Sequence, residues 1–206
     1  MTYQFKIQLK NISKPPVWRK VVVSSETTFS MFHTIIQVAM GWYDIHLYSF
    51  SPTGYGSTPW IEGDDDFAAL GIDDEETTPA TDMKLSDIFE TKGQTFTYIY
   101  DFGDDWEHKI TLEEIDKTNI STIPKLIDGK GACPPEDCGG AWGYENLKEV
   151  LADKKHPEHK DIKEWLYGPD DFDEEDDDMF EEEEPVWNPH EYNLEDEKEM
   201  FDEVFE

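Results

Sequence analysis

Residues 3–9 alternate without a break: Tyr3, Phe5, Ile7 and Leu9 fall on one side of an extended chain, and Gln4, Lys6 and Gln8 on the other. A helix repeats its apolar positions every 3.6 residues, so a strict period of two requires a strand with one buried face. Asn11 and the Pro15-Pro16 pair supply a turn, and residues 17–23 return as a β-branched second strand. The chain therefore opens with a hairpin. Thr28 then stands at an N-cap position before Phe29, Phe32, Ile36 and Met40, whose spacing places them on one helical face, and Gly41 ends the helix. A hairpin with one apolar face and a helix with one apolar stripe must bury them against each other.

The remaining patterns extend this arrangement. Strands are expected over residues 46–50 and near Trp60, a helical turn over 85–89, and a second hairpin from residues 95–101 and 106–115. If the second arm of that hairpin is regular, Trp106, His108, Ile110 and Leu112 share a face, which turns His108 toward the core. Beyond Gly139 the period becomes helical, with Tyr144, Leu147, Val150 and Leu151 marking one helix and Ile162, Trp165 and Leu166 another. The expected fold is α+β: a β-grasp-like mixed sheet of four or five strands, one crossing helix and a C-terminal helical extension. Residues 1–168 form one domain, with the sheet in 1–115 and the helical extension in 139–168. Residues 169–185 are expected to be a disordered acidic insert, and residues 186–206 a partly docked C-terminal segment.

Charge sets the insert apart. The 206 residues carry 49 Asp and Glu against 17 Lys and Arg, a formal net charge of -32. Between 170 and 184 only Phe172, Met179 and Phe180 are not acidic, and such a block repels itself too strongly to pack. Residues 62–82, with Asp64-Asp65-Asp66 and Asp73-Asp74-Glu75-Glu76, read as a long acidic loop. The first 25 residues, in contrast, hold five cations and no acid. The overall balance weighs against direct nucleic-acid binding, which relies on neutralising phosphates, and Arg19 is the only arginine available to clamp one. No apolar run approaches the ~20 residues that span a bilayer, and the alternating N-terminus has no secretory apolar region, so a cytoplasmic location is expected. Two cysteines give no disulfide framework, and the core must come from apolar and aromatic side chains.

Two dense motifs carry the candidate chemistry. The first is Tyr100-Asp101-Phe102-Gly103-Asp104-Asp105-Trp106-Glu107-His108. It reads either as a tight turn whose aspartates cap backbone amides, or as a divalent-ion site in which Asp101, Asp104 and Asp105 join an imidazole. The second is Cys133-Pro134-Pro135-Glu136-Asp137-Cys138-Gly139-Gly140. It is either a rigid turn with small buried thiols or half of a zinc site, for which His46 and His108 are the strand-borne candidates to complete Cys133 and Cys138. His156 and His159 flank a helix start. Serine-nucleophile, zinc-protease and phosphate-loop motifs are missing from the sequence.

With Gly41-Trp42-Tyr43-Asp44-Ile45-His46-Leu47-Tyr48-Ser49-Phe50 ahead of these motifs and His156-Pro157-Glu158-His159 behind them, the chain resembles the plasmid pRiA-type open-reading-frame-three-like family, also labelled as insertion-element passenger proteins of the TnpR type. The resemblance runs from the first hairpin to Trp165. It implies a compact α+β fold akin to a β-grasp sheet with added helices, and it implies little about activity. Many relatives carry another cysteine where Leu126 stands, and their Phe-Asp-Pro segment is replaced here by the acidic insert, after which Trp187-Asn188-Pro189-His190-Glu191-Tyr192 resumes the pattern.

Three functions fit these residues. The first, favoured because the motifs are rich in turn formers and aromatics but lack a nucleophile and base, is a non-catalytic module that binds another protein. Its expected surface comprises His46, Tyr48, Asp101, Asp104, Trp106, His108, Glu136 and Asp137. The second is a metal-dependent hydrolase built on Asp101, Asp104, His108 and His46, with zinc as the divalent cofactor. The third is an acidic nucleic-acid mimic that binds basic proteins. The two histidines His46 and His108 are expected to lie together in one concavity with Tyr48 and Trp106.

Overall fold

The computed structural model describes residues 1–63, 77–167 and 188–206. Strands β1 (Thr2–Leu9) and β2 (Trp18–Ser24) form the N-terminal hairpin, followed by helix α1 (Phe29–Met40). Strands β3 (Tyr48–Ser51), β4 (Trp60–Glu62) and β5 (Thr77–Pro79) come next, then the short helix α2 (Leu85–Ile88) and the hairpin β6 (Thr95–Tyr100) and β7 (Trp106–Asp116). Strand β8 (Lys125–Lys130) and helices α3 (Gly140–Ala152), α4 (His159–Tyr167) and α5 (Leu194–Phe205) complete the chain.

The strands make one mixed sheet in the order β5-β4-β3-β6-β7-β1-β2-β8. The architecture is α+β, as the sequence suggests, but the sheet has eight strands among the described residues where four or five were expected. The hairpin-then-helix order is present. The second neighbour of β1 is the antiparallel β7, and the parallel pair, β4 with β5, lies at the far edge.

Register explains the core. Phe5 sits opposite Val21 and Leu112, Ile7 opposite Ile110, Phe96 opposite Ile110, and Tyr98 opposite both Phe50 and His108. Directly opposed residues point to the same side of a sheet, so this alternation collects one continuous apolar face, and all of these side chains are buried. Helix α1 lies on that face, with Phe29 against Phe50 and Phe32 against Phe5, each at 5.0 Å between ring centroids. Its ends form as the sequence requires. Thr28 Oγ1 accepts from the Met31 N–H at 3.2 Å, and Gly41 takes φ +86°, a left-handed conformation that side chains resist. Truncating Phe32 to alanine removes a fully buried ring, a change that costs about 3–5 kcal/mol in such cores.

Two expectations change, and a third gains detail. Residues 62–82 are not all loop, because Thr77–Pro79 pairs with β4. The sheet extends beyond residue 115 to include β8, which pairs with β2. The C-terminal segment carries a full helix, α5, packed against β8 with Phe201 buried. The acidic block 169–185 and most of the 62–82 stretch lie outside the described residues.

Residues leading into α5 also cover the lone arginine. Arg19 is 1% exposed; its Nε donates to the Ala39 carbonyl at 2.8 Å, and one terminal nitrogen donates to the Trp18, Lys130 and Gly131 carbonyls. The Tyr192 ring lies 4.2 Å over the guanidinium. Gly129 makes room for it, since a Cβ there would meet Tyr192 Oη at 2.1 Å. No helix among the described residues is long and apolar enough to cross a membrane.

Candidate functional site at one end of the sheet

Three connections meet beyond the ends of β3, β6 and β7: residues 41–47, residues 101–105 and residues 133–140. Each is fixed by polar contacts with the others. Trp42 Nε1 donates to the Pro134 carbonyl at 3.0 Å, and the Tyr43 N–H donates to Glu136 Oε1 at 2.9 Å. Tyr100, from the end of β6, donates its hydroxyl to the same Glu136 oxygen at 3.0 Å and accepts from the Ile45 N–H at 3.2 Å. Burial, and secondarily the Glu136 carboxylate, pushes the Tyr100 hydroxyl well above its ordinary pKa, so it remains a donor. Asp104 Oδ2 accepts from the Gly139 N–H at 3.0 Å. Glycine is demanded at residue 140, where a Cβ would stand 2.2 Å from the Asp104 carbonyl oxygen.

The junction brings His46, Asp101 and Asp137 together. His46 Nε2 is 3.1 Å from Asp137 Oδ1 and 3.7 Å from Asp101 Oδ2, and ligand-capable atoms of all three residues lie within 4.8 Å of one another. Asp101 adopts φ +56° and is 7% exposed; its Oδ1 accepts from the Gly103 N–H at 2.8 Å, and its own N–H donates to Leu47. Local side-chain capping of this kind lets aspartate hold a left-handed turn. Asp137 is on the outside, with a side chain 61% exposed.

Beneath the 41–47 connection lies a polar circuit that the sequence does not announce. Gln37 Nε2 donates to Tyr98 Oη at 2.9 Å; Tyr98 lies 2.8 Å from His33 Nδ1; His33 Nε2 lies 2.5 Å from Asp44 Oδ1; and the Asp44 N–H donates to Gln37 Oε1 at 3.1 Å. Every step is satisfied when a neutral His33 accepts at Nδ1 from the tyrosine and donates from Nε2 to the carboxylate. Burial lowers the His33 pKa, with Asp44 opposing, and the ring stacks 3.5 Å from Tyr48. The available signal was a His and a Gln four residues apart in a helix whose remaining positions are mostly apolar.

The other singled-out residues go elsewhere. His108 is fully buried on the core face, its Nδ1 donating to the Trp106 carbonyl at 2.9 Å, with Tyr98 and Trp42 around the ring. Desolvation lowers its pKa to about 3. Trp106 is buried beside Trp42. Tyr48 stacks on His33, and Asp104 caps Gly139. Cys133 and Cys138 are free thiols packed against the core, and burial pushes both upward in pKa, Cys138 to about 12. Neither joins the one metal-competent group among the described residues.

All three converging connections contain the motifs on which the resemblance rests, and comparison with known sequences places it. The profile of plasmid pRiA4b ORF-3-like proteins matches residues 1–181. The chain belongs to this family. An uncharacterised family relative, y4hQ from Sinorhizobium fredii, is 36% identical over 174 residues, covering 82% of each chain. The crystal structure of MM3350, a protein of unknown function from Methanosarcina mazei Go1, is 32% identical and superposes with a TM-score of 0.69 over 95% of this chain and 96% of that one.

Proposed function

We propose that this family member is a non-catalytic binding module whose working surface is the junction of residues 41–47, 101–105 and 133–140, and that its partner is a basic segment of another protein. One observation carries the reading. Those connections hold six carboxylates, Asp44, Asp101, Asp104, Asp105, Glu136 and Asp137, and no lysine or arginine, while Tyr43 and Trp142 stand 78% and 82% exposed on the same connections and the helix that follows. Exposed aromatic rings on a backbone already fixed by hydrogen bonds supply contact area with little ordering cost, and a uniform negative field selects a cationic partner. The Pro134-Pro135 pair and the Trp42–Pro134 and Tyr100–Glu136 bonds provide that preorganisation. A hydrolase centred on His108 finds no support, because that imidazole is enclosed in the core.

Fluorescence anisotropy with labelled lysine- and arginine-rich peptides, run in chelator, tests the reading. Saturable binding is expected, weakened at least about tenfold by Trp142→Ala and by Asp137→Lys. The charge reversal Glu164→Lys on α4 controls for general electrostatics and should leave the affinity near wild type. Equal weakening by Asp137→Lys and Glu164→Lys would reduce the effect to net charge and defeat the assignment.

A further inference from the structure

We infer that His46, Asp101 and Asp137 form a binding site for one zinc-class divalent cation. The site is distinct from the thiol and His108 sets that the sequence brings to mind, and it does not depend on what docks on the surrounding surface. Geometry is the first support. Ligands about 2.1 Å from a tetrahedral ion stand about 3.4 Å apart. The distances from His46 Nε2, 3.1 Å to Asp137 and 3.7 Å to Asp101, bracket that spacing before any adjustment.

Burial is the second and independent support. His46 Nε2 is shielded from solvent, and its nearest polar neighbour, the exposed Asp137 carboxylate at 3.1 Å, is not aligned for a hydrogen bond. A concealed ring nitrogen ordinarily has a well-aligned donor or acceptor, and one that faces only a misaligned carboxylate is placed to ligate a cation. Asp101, nine-tenths buried, tethers Oδ1 to the Gly103 N–H and turns Oδ2 toward the same nitrogen at 3.7 Å, beyond hydrogen-bonding reach. A largely buried carboxylate and a partly buried imidazole whose facing atoms stand 3.7 Å apart have the spacing that an ion between them would bridge. The Gly103 N–H also orients the ligating carboxylate in the way outer contacts steer metal ligands.

Donor chemistry selects the ion. One imidazole and two carboxylates suit zinc and its first-row neighbours better than magnesium or calcium, which take all-oxygen shells. The three donors come from three different connections, so the cation would also link them. The exposed Asp137 side leaves the remaining coordination to water.

Full-length protein, stripped with chelator, should be dialysed against zinc in physiological salt with excess magnesium to suppress loose binding to the many surface carboxylates. One zinc per chain is expected. Cobalt, as an optical probe, should give the visible bands of a nitrogen- and oxygen-ligated ion without thiolate charge transfer. His46→Ala should weaken zinc binding by about 100-fold or more, since even outer-shell losses reach that scale. Asp101→Asn preserves the turn-capping oxygen and tests the buried ligand without endangering the fold, and Asp137→Asn tests the exposed one. Binding abolished by magnesium, indifferent to His46→Ala, or lost instead in the Cys133→Ala, Cys138→Ala double variant would each overturn the site.

Discussion

His33 Nε2 and Asp44 Oδ1 are 2.5 Å apart, and through this contact helix α1 holds the connection that carries His46. Replacing His33 by Phe keeps a ring to stack on Tyr48 but leaves the fully buried Tyr98 hydroxyl without one partner and releases Asp44. A loss of about 1–3 kcal/mol in urea unfolding is expected, the range for orphaning one buried polar group. Weakened zinc binding should accompany it, because the connection that carries His46 loses one of its anchors, the others being the Trp42, Tyr43 and Ile45 bonds. Unchanged stability would show that water satisfies Tyr98 as well as the imidazole does.

Acid should act through His108. Its pKa falls from 6.5 to about 3 in the folded chain, so between those values the unfolded chain binds the proton and the folded chain does not. Stability is complete above about pH 6.5 and declines as pH drops toward 3, with a limiting slope of about 1.4 kcal/mol per pH unit from this residue. His33, also lowered, adds in the same direction. Comparing unfolding free energies at pH 7 and pH 5, above most carboxylate titration, should show a smaller drop in His108→Gln than in the wild type. Identical drops would remove His108 from the acid response.

Gly140→Ala should separate two of the three connections. The added Cβ would stand 2.2 Å from the Asp104 carbonyl oxygen, and φ at this residue is +65°. Stability should fall by about 2–4 kcal/mol through combined clash and backbone strain. Asp137 travels with the displaced turn, so zinc affinity should fall as well. Retention of both properties would mean that the turns tolerate a shift the packing does not suggest.

The cysteines should be slow to alkylate. A thiol reacts as thiolate, and burial raises Cys138 to about 12 and Cys133 further. Native protein at neutral pH should consume a thiol reagent at least about 100-fold more slowly than urea-unfolded protein does, given how small the thiolate fraction becomes. Comparable rates would place at least one sulfur in an activating environment.

Much of the core was legible because single residues determine it. The alternation from Tyr3 to Leu9, the cap at Thr28 and the stop at Gly41 each act locally, and the strand period correctly turned His108 inward. Strand β8 was not legible, since Leu126 is its one buried side chain and Gly129 serves Tyr192 instead of the strand. Helix α5 is acid-rich and buries only Phe201. At the site, His46, Asp101 and Asp137 were each singled out, but their meeting depends on sheet order across 91 residues (137 minus 46), which no local pattern encodes. The polar circuit has no signature in the sequence, because His33 and Gln37, taken alone, look like the solvent side of a helix.

The packing of α5 on β8 also bears on how the protein avoids polymerising. Among the described residues the sheet has two edge strands, β5 and β8, and an uncovered edge is a template for a strand from another molecule. At one edge, β5 is three residues long and ends in Pro79, which lacks an amide donor. At the other, β8 is long enough to accept a neighbour, and it is here that Tyr192 settles on Gly129 while α5 packs alongside. The segment that shelters Arg19 thus also crowds the approach to this border, since the Ala132 N–H just past β8 already donates to the Pro189 carbonyl at 3.1 Å, and a chain cut before residue 188 would lose that obstruction.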